Sequence, residues 1–124
     1  MGGGMDTVYL NRQLEGHTVV LELLFHTDIE TGDCTLSIDL AEDNTKGASV
    51  RRIRFSGVTN LSLQDFGGDL TQLASLRIED VSGRQWDRIA YSITELEHES
   101  IAFLCRDVSI PARYALGVDT PPGA

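Results

Sequence analysis

Apolar and polar residues alternate along much of this chain, and a period of two is the signature of a β-strand. The clearest case runs from Cys34 to Leu40, where Cys34, Leu36, Ile38 and Leu40 are apolar and Thr35, Ser37 and Asp39 are polar. This pattern predicts a half-buried strand with one wet face. The stretch from Val50 to Phe66 reads as two strands around a turn, and the rest of the chain is organised about it. Ile53 and Phe55 face inward, Arg52 and Arg54 outward, Gly57 breaks the run, and Leu61 and Leu63 resume it. Leu76 with Ile78, Ile89 with Tyr91 and Ile93, and Ile101 with Phe103 and Cys105 mark further strands, with Val108 and Ile110 extending the last. The predicted core is Leu36, Ile38, Leu40, Ile53, Phe55, Leu63, Ile78, Tyr91, Ile93, Ile101 and Phe103.

Other stretches are read from turn chemistry and composition. Thr7 to Gly16 fits a short strand, a helical turn or an ordered arm. His17 to His26 is apolar on both parities; its β-branched start after Gly16 favours a strand covered on both faces. Leu70 to Ala74 has room for one helical turn. Thr27 to Asp33, Glu42 to Gly47 and Ser82 to Arg84 are turns, and Glu95 to Ser100 is a charged hairpin. Pro111 and residues 117–124 read as an exit and a frayed tail. The expectation is an all-β fold over residues 1–124, a single antiparallel meander-like domain. A half-barrel and a two-layer sandwich both fit, with at most one short helix and residues 1–6 as a flexible lead-in.

Composition narrows the function classes. The chain has 124 residues, 41% hydrophobic and 23% charged, which is globular rather than disordered composition. Ten Lys+Arg against 19 Asp+Glu give a formal net charge of -9. An acidic surface repels phosphate backbones, so nucleic acid is not an expected partner, whereas a basic protein is electrostatically allowed. The first residues carry no basic region and no apolar run, so they are not read as a signal peptide. No apolar run approaches the roughly 18 residues of a membrane span, and a cytoplasmic location is expected. Two cysteines, Cys34 and Cys105, make no disulfide framework and are read as buried, reduced thiols.

Candidate chemistry is sparse. His17, His26 and His98 lack zinc spacing; on one strand His17 and His26 would lie about 30 Å apart. Asp28, Glu30 and Asp33 faintly resemble a calcium loop, but Gly32 stands at a ligand position, Asp39 stands where the twelfth-position Glu belongs and flanking helices are lacking, so no metal and no cofactor is expected. The glycines at 2–4 and 67–68 are not followed by the Gly-Lys-Ser/Thr of a phosphate loop. Trp86 reads as a core edge. No carboxylate pair is marked as a general acid and base.

Ile53-Arg54-Phe55-Ser56-Gly57-Val58 is followed by Asn60-Leu61-Ser62-Leu63 and Asp65-Phe66. Leu76-Arg77-Ile78-Glu79, Trp86, Tyr91 and Glu99-Ser100-Ile101-Ala102-Phe103 with Cys105 come after. This order, spanning about residues 34 to 110, resembles the immunity protein 50 family of small bacterial proteins in polymorphic toxin systems. The resemblance implies a non-enzymatic protein that binds and neutralises a partner toxin; it brings no catalytic residues.

The leading expectation is therefore a small binding module, immunity-like, that occludes a partner surface such as a basic toxin domain. Its alternatives are a small enzyme or ligand-binding half-barrel, and a structural subunit that pairs through strand edges; a homo-oligomer is compatible with either binding reading. Glu95, Glu97 and Glu99 share one parity in the charged hairpin, and are the expected partner-binding residues. The competing reading of that hairpin is a solvated turn whose charges block edge aggregation.

Overall fold

Asp6 accepts a hydrogen bond from the Val8 N–H at 3.0 Å and so caps helix α1, Thr7–Leu14. Leu10 and Leu14, four residues apart, share one face of the helix and are buried. The ambiguous N-terminal stretch is thus a helix. In the computed structural model the described residues are 6–66, 68, 71–73, 76–84, 89–97 and 99–117. Trp86 and His98 lie outside them, as do Leu70 and Ala74.

Among the described residues nine strands follow the helix: β1 Val19–Thr27, β2 Cys34–Ala41, β3 Ser49–Ser56, β4 Thr59–Leu63, β5 Thr71–Gln72, β6 Leu76–Asp80, β7 Tyr91–Glu95, β8 Ile101–Cys105 and β9 Asp107–Ala115. A short 3-10 turn, Ser82–Arg84, lies between β6 and β7. Every pairing is antiparallel. One sheet has the order β5-β1-β2-β3-β9 and the other β4-β8-β7-β6. The all-β expectation holds, in its two-sheet form. Thr71–Gln72, expected within a helical turn, is instead a two-residue strand that pairs with Val19 and Val20. Pro111 is no exit, because β9 runs through it to Ala115.

The two sheets share one core. Leu36, Ile38 and Leu40 from β2, Ile53 and Phe55 from β3, Ile78, Tyr91 and Ile93, Ile101, Phe103 and Cys105 cluster together, with Leu10 and Leu14 of the helix. Phe55 of one sheet meets Phe103 of the other edge-to-face, with centroids 4.8 Å apart at 81°. Such a contact adds about 0.5–1.5 kcal/mol to the burial itself. Leu63 departs from the predicted core: it is 40% exposed on the edge strand β4, where the ladder is interrupted between Thr59 and Ser62. Leu61, at the same parity, is the β4 leucine that packs against the core.

At one corner the chain crosses between sheets twice, from β3 to β4 and from β8 to β9. There Gly57 adopts φ +67, and a Cβ on it would stand 2.9 Å from Cβ of Arg106. The Val58 N–H donates to the Cys34 carbonyl at 3.0 Å, and the Arg106 N–H to the Ser56 carbonyl at 2.8 Å. The β3–β4 and β8–β9 connections are thereby laced together.

Two expectations about exposure need correction. β1 was expected to be covered on both faces, yet Leu21, Glu22 and residues 24–27 are exposed. The strand lies near the rim of its sheet, and its apolar residues outnumber the surface that can cover them. Conversely, the polar face of β2 is not wet throughout, because Asp39 is only 2% exposed.

Candidate functional site

The charged hairpin joins β7 to β8, and its three glutamates do not point one way. Glu95 continues the inward parity of Tyr91 and Ile93, and is 2% exposed. Its Oε1 accepts from the Ser100 N–H at 3.3 Å, so it braces the turn from inside. The turn falls at Leu96 and Glu97, and Glu99 takes the left-handed φ of +50. Strand parity therefore stops at Glu95, and only Glu97 and Glu99 reach the surface. A neighbouring turn comes alongside through the Gln64 N–H, which donates to the Ser100 carbonyl at 2.8 Å. That contact brings exposed Asp65 toward the same end of the molecule. Asp65, Glu97 and Glu99 thus form an acidic rim on two adjacent turns.

A second group of carboxylates lies at the opposite end of β8, roughly 17 Å away for a five-residue strand. Arg106 there reaches Asp107 at 3.3 Å and Asp33 at 4.0 Å. A cleft of about 290 Å³ opens beside it, lined by Gly32, Asp33, Cys34, Gly57, Val58 and Arg106 among others. The guanidinium is already engaged by two carboxylates, which weakens the cleft as an anion site.

The outer face of the five-stranded sheet holds a polar cluster that sequence reasoning missed. Asp39 sits opposite Arg52 in the β2–β3 register. Arg52 donates to both carboxylate oxygens, from Nε at 2.8 Å and from Nη2 at 3.0 Å. The Tyr114 hydroxyl, from β9, donates to Asp39 Oδ2 at 2.5 Å. The guanidinium also lies 5.9 Å from the centre of the Tyr114 ring. Burial, with the adjacent Asp39 carboxylate, pushes the Tyr114 phenol up to about 12. Hydrogen bonding and attraction to Asp39 raise the Arg52 guanidinium, so it stays charged. The phenol and two guanidinium nitrogens all serve the buried carboxylate, which makes the cluster a structural tie across β2, β3 and β9.

His17 makes the remaining buried polar contact of note. It is 6% exposed, with Nδ1 3.1 Å from the Glu15 carbonyl and Nε2 3.1 Å from Ser49 Oγ. Arg51 Nη1 donates to the same Oγ at 2.8 Å. On a neutral ring the carbonyl takes the Nδ1–H, which leaves Nε2 to accept from the serine hydroxyl. A serine hydroxyl bonded to histidine resembles half of a hydrolase triad. Here the orienting carboxylate is replaced by a main-chain carbonyl, and an arginine binds the hydroxyl. The arrangement ties the helix exit to β3. Ser49 lies 32 residues from His17, so sequence spacing carried no sign of the pair.

Among the described residues no group of three His, Cys, Asp or Glu side chains could hold a metal ion. Also among them, no helix is long and apolar enough to cross a membrane. Cys34 and Cys105 are both free; Cys105 is buried as expected, whereas Cys34 is only partly covered.

The family model described as Immunity protein PIM8 covers residues 7–110. No curated protein and no solved structure matches the chain. The match agrees with the immunity-type resemblance read from the strands after Cys34. It carries the PIM8 description rather than immunity protein 50, and it reaches back through β1 and the helix.

Proposed function

We propose, from the premise that this chain belongs to the immunity protein PIM8 family, that it is a non-catalytic module which binds and neutralises a partner toxin. The match over residues 7–110 carries this reading. The mechanism is occlusion: the module covers the toxin surface that does the damage. Action in the cytoplasm, where a toxin meets its target, belongs to the same proposal.

Charge supports a basic partner. The net charge of -9 gives the whole molecule a negative field. The rim formed by Glu97 and Glu99 with Asp65 is exposed and free to approach a cationic surface. Glu95, buried behind them, holds the turn in shape and does not meet the partner. Such a rim acts mostly on the rate of association.

Co-expression with a candidate toxin domain from a neighbouring reading frame tests the proposal. Cells producing the toxin alone should fail to grow, and this chain should restore growth and co-purify with the toxin domain. The double variant Glu97→Gln/Glu99→Gln should associate several-fold more slowly at low salt, with a flatter salt dependence. No rescue of growth and no complex would overturn the immunity reading. A complex indifferent to the double variant would move the contact away from this rim.

A further inference from the structure

The four-stranded sheet and the far side of the five-stranded one have edges that resist pairing. On β6, Asn11 of the helix occupies the backbone of Ile78: its Oδ1 accepts from the Ile78 N–H at 2.8 Å and its Nδ2 donates to the Ile78 carbonyl at 2.9 Å. β4 is five residues long and interrupted, with Asn60 at φ +58. β9 is irregular between its contacts to Arg52 and Arg54, and Pro111 offers no N–H. Short length, bulges and proline are the ordinary means of blunting an edge.

β1 differs. It pairs with β2 along its length, but β5 covers it only at Val19 and Val20 among the described residues. A bulge sets in at Leu21, and Glu22 to Thr27 then form a regular strand without lysine, arginine or proline. Leu24 is 59% exposed on the outer face and Phe25 44% on the inner one. Among the described residues this is a long apolar edge that no strand covers beyond Val20.

The sequence of that edge is complementary to itself. Antiparallel pairing of two copies about Leu24 sets Leu24 against Leu24, Leu23 against Phe25, and Glu22 against His26. Each apolar side chain then meets an apolar one, and each carboxylate meets an imidazole, twice by symmetry. Glu22, Leu24 and His26 lie on the outer face, in rows with Asp39, Ser37 and Thr35. Leu23 and Phe25 lie on the core side, in rows with Ile38 and Leu36. The two faces therefore match at once. An antiparallel two-fold pairing is isologous and closes at two copies. A toxin strand would need no such internal symmetry in β1.

We propose that the chain forms a two-fold dimer through its β1 edges, joining the β1-β2-β3-β9 ladders of two copies into one eight-stranded sheet. The contact is a strand pairing of about five residues a side, smaller than a standard stable interface, so the dimer dissociates on dilution in the micromolar range. It stands independently of the toxin reading.

Sedimentation equilibrium of the full chain over micromolar to millimolar concentration tests it. The wild-type chain should show a monomer–dimer equilibrium. Leu24→Lys places two ammonium groups together at the two-fold axis and should give a monomer, with an unchanged circular dichroism spectrum because Leu24 is exposed. Glu22→His alone and His26→Glu alone should each weaken the dimer about ten-fold, and the two together should restore it. Leu63→Lys, on the edge of the other sheet, should leave it unchanged. A wild-type monomer throughout overturns the proposal. So does a dimer indifferent to Leu24→Lys, or a double swap that fails to restore. A monomeric wild type whose toxin binding is lost in Leu24→Lys would give the edge to the toxin instead, and equally overturn self-pairing.

Discussion

Tyr114 and Asp39 lie 75 residues apart in sequence and two strands apart in the sheet, yet the phenol donates to the buried carboxylate at 2.5 Å. Arg52, on the strand between them, holds the same carboxylate with two nitrogens. The buried charge therefore binds three strands at one point. Removing a partner from a buried charge costs more than removing the charge. Arg52→Met should thus cost about 3–5 kcal/mol, because Asp39 is left buried with only the phenol. Asp39→Asn should cost less, since Arg52 is 38% exposed and water can solvate it. Urea denaturation of the two variants checks the order; a larger loss for Asp39→Asn would contradict it.

The same contact makes stability depend on alkaline pH. The phenol of Tyr114 is held near 12 in the folded chain, against about 10 when unfolded. A raised folded value means that its stabilisation is complete below pH 10 and is lost as pH rises toward 12. Burial also lifts the Cys105 thiol from 9.0 to about 12, with the same sign. Thermal melts between pH 9 and 12 should show a falling midpoint. Tyr114→Phe should fall less steeply, and the difference between the two curves isolates this residue.

Thiol chemistry should separate the two cysteines. Cys105 is fully buried and its thiol is held in the neutral form, whereas Cys34 is partly exposed beside the corner cleft. An aromatic disulfide reagent should modify one thiol per native chain at neutral pH and the second only in denaturant. Rapid loss of both in the native protein would show that the core opens far more readily than this packing implies.

Core substitutions should divide along the burial pattern. Ile38 is 1% exposed between the two sheets, so Ile38→Ala should cost about 2–5 kcal/mol. Leu63→Ala, at a position 40% exposed, should cost below about 1 kcal/mol. Chemical denaturation gives both values, and similar losses would mean that Leu63 is more deeply packed than its exposure states.

Strand parity was legible because burial alternates residue by residue, which is a local property. Ile38, Ile53, Ile93 and Phe103 all fell on the inward face for that reason. Leu63 did not, because its parity is inward but its strand lies at an edge, and edge position depends on the whole topology. Glu95 carried a usable signal: it continues the parity of Tyr91 and Ile93, and reading strand rules past the turn at Leu96 hid it. The helix rests on a capping Asp6 and two leucines, too few positions to outvote a strand in sequence. The Asp39–Arg52–Tyr114 tie was beyond reach, because it needs two registers at once, β2 on β3 and β3 on β9.

The seam of β3 against β9 also has a bearing on when the protein becomes whole. Ser56 pairs with Asp107 and Ser49 with Ala115, so β3 acquires its second neighbour from residues made more than fifty positions later. A chain growing from its N-terminus can build β1-β2-β3 from local hairpins. Until residues 107–115 emerge, however, the far side of β3 stands open and Asp39 lacks its phenol. Pairings of such long sequence separation close slowly. Completion of the five-stranded sheet therefore waits for residues 107–115, and a nascent or truncated chain lacking β9 should be the aggregation-prone form of this protein.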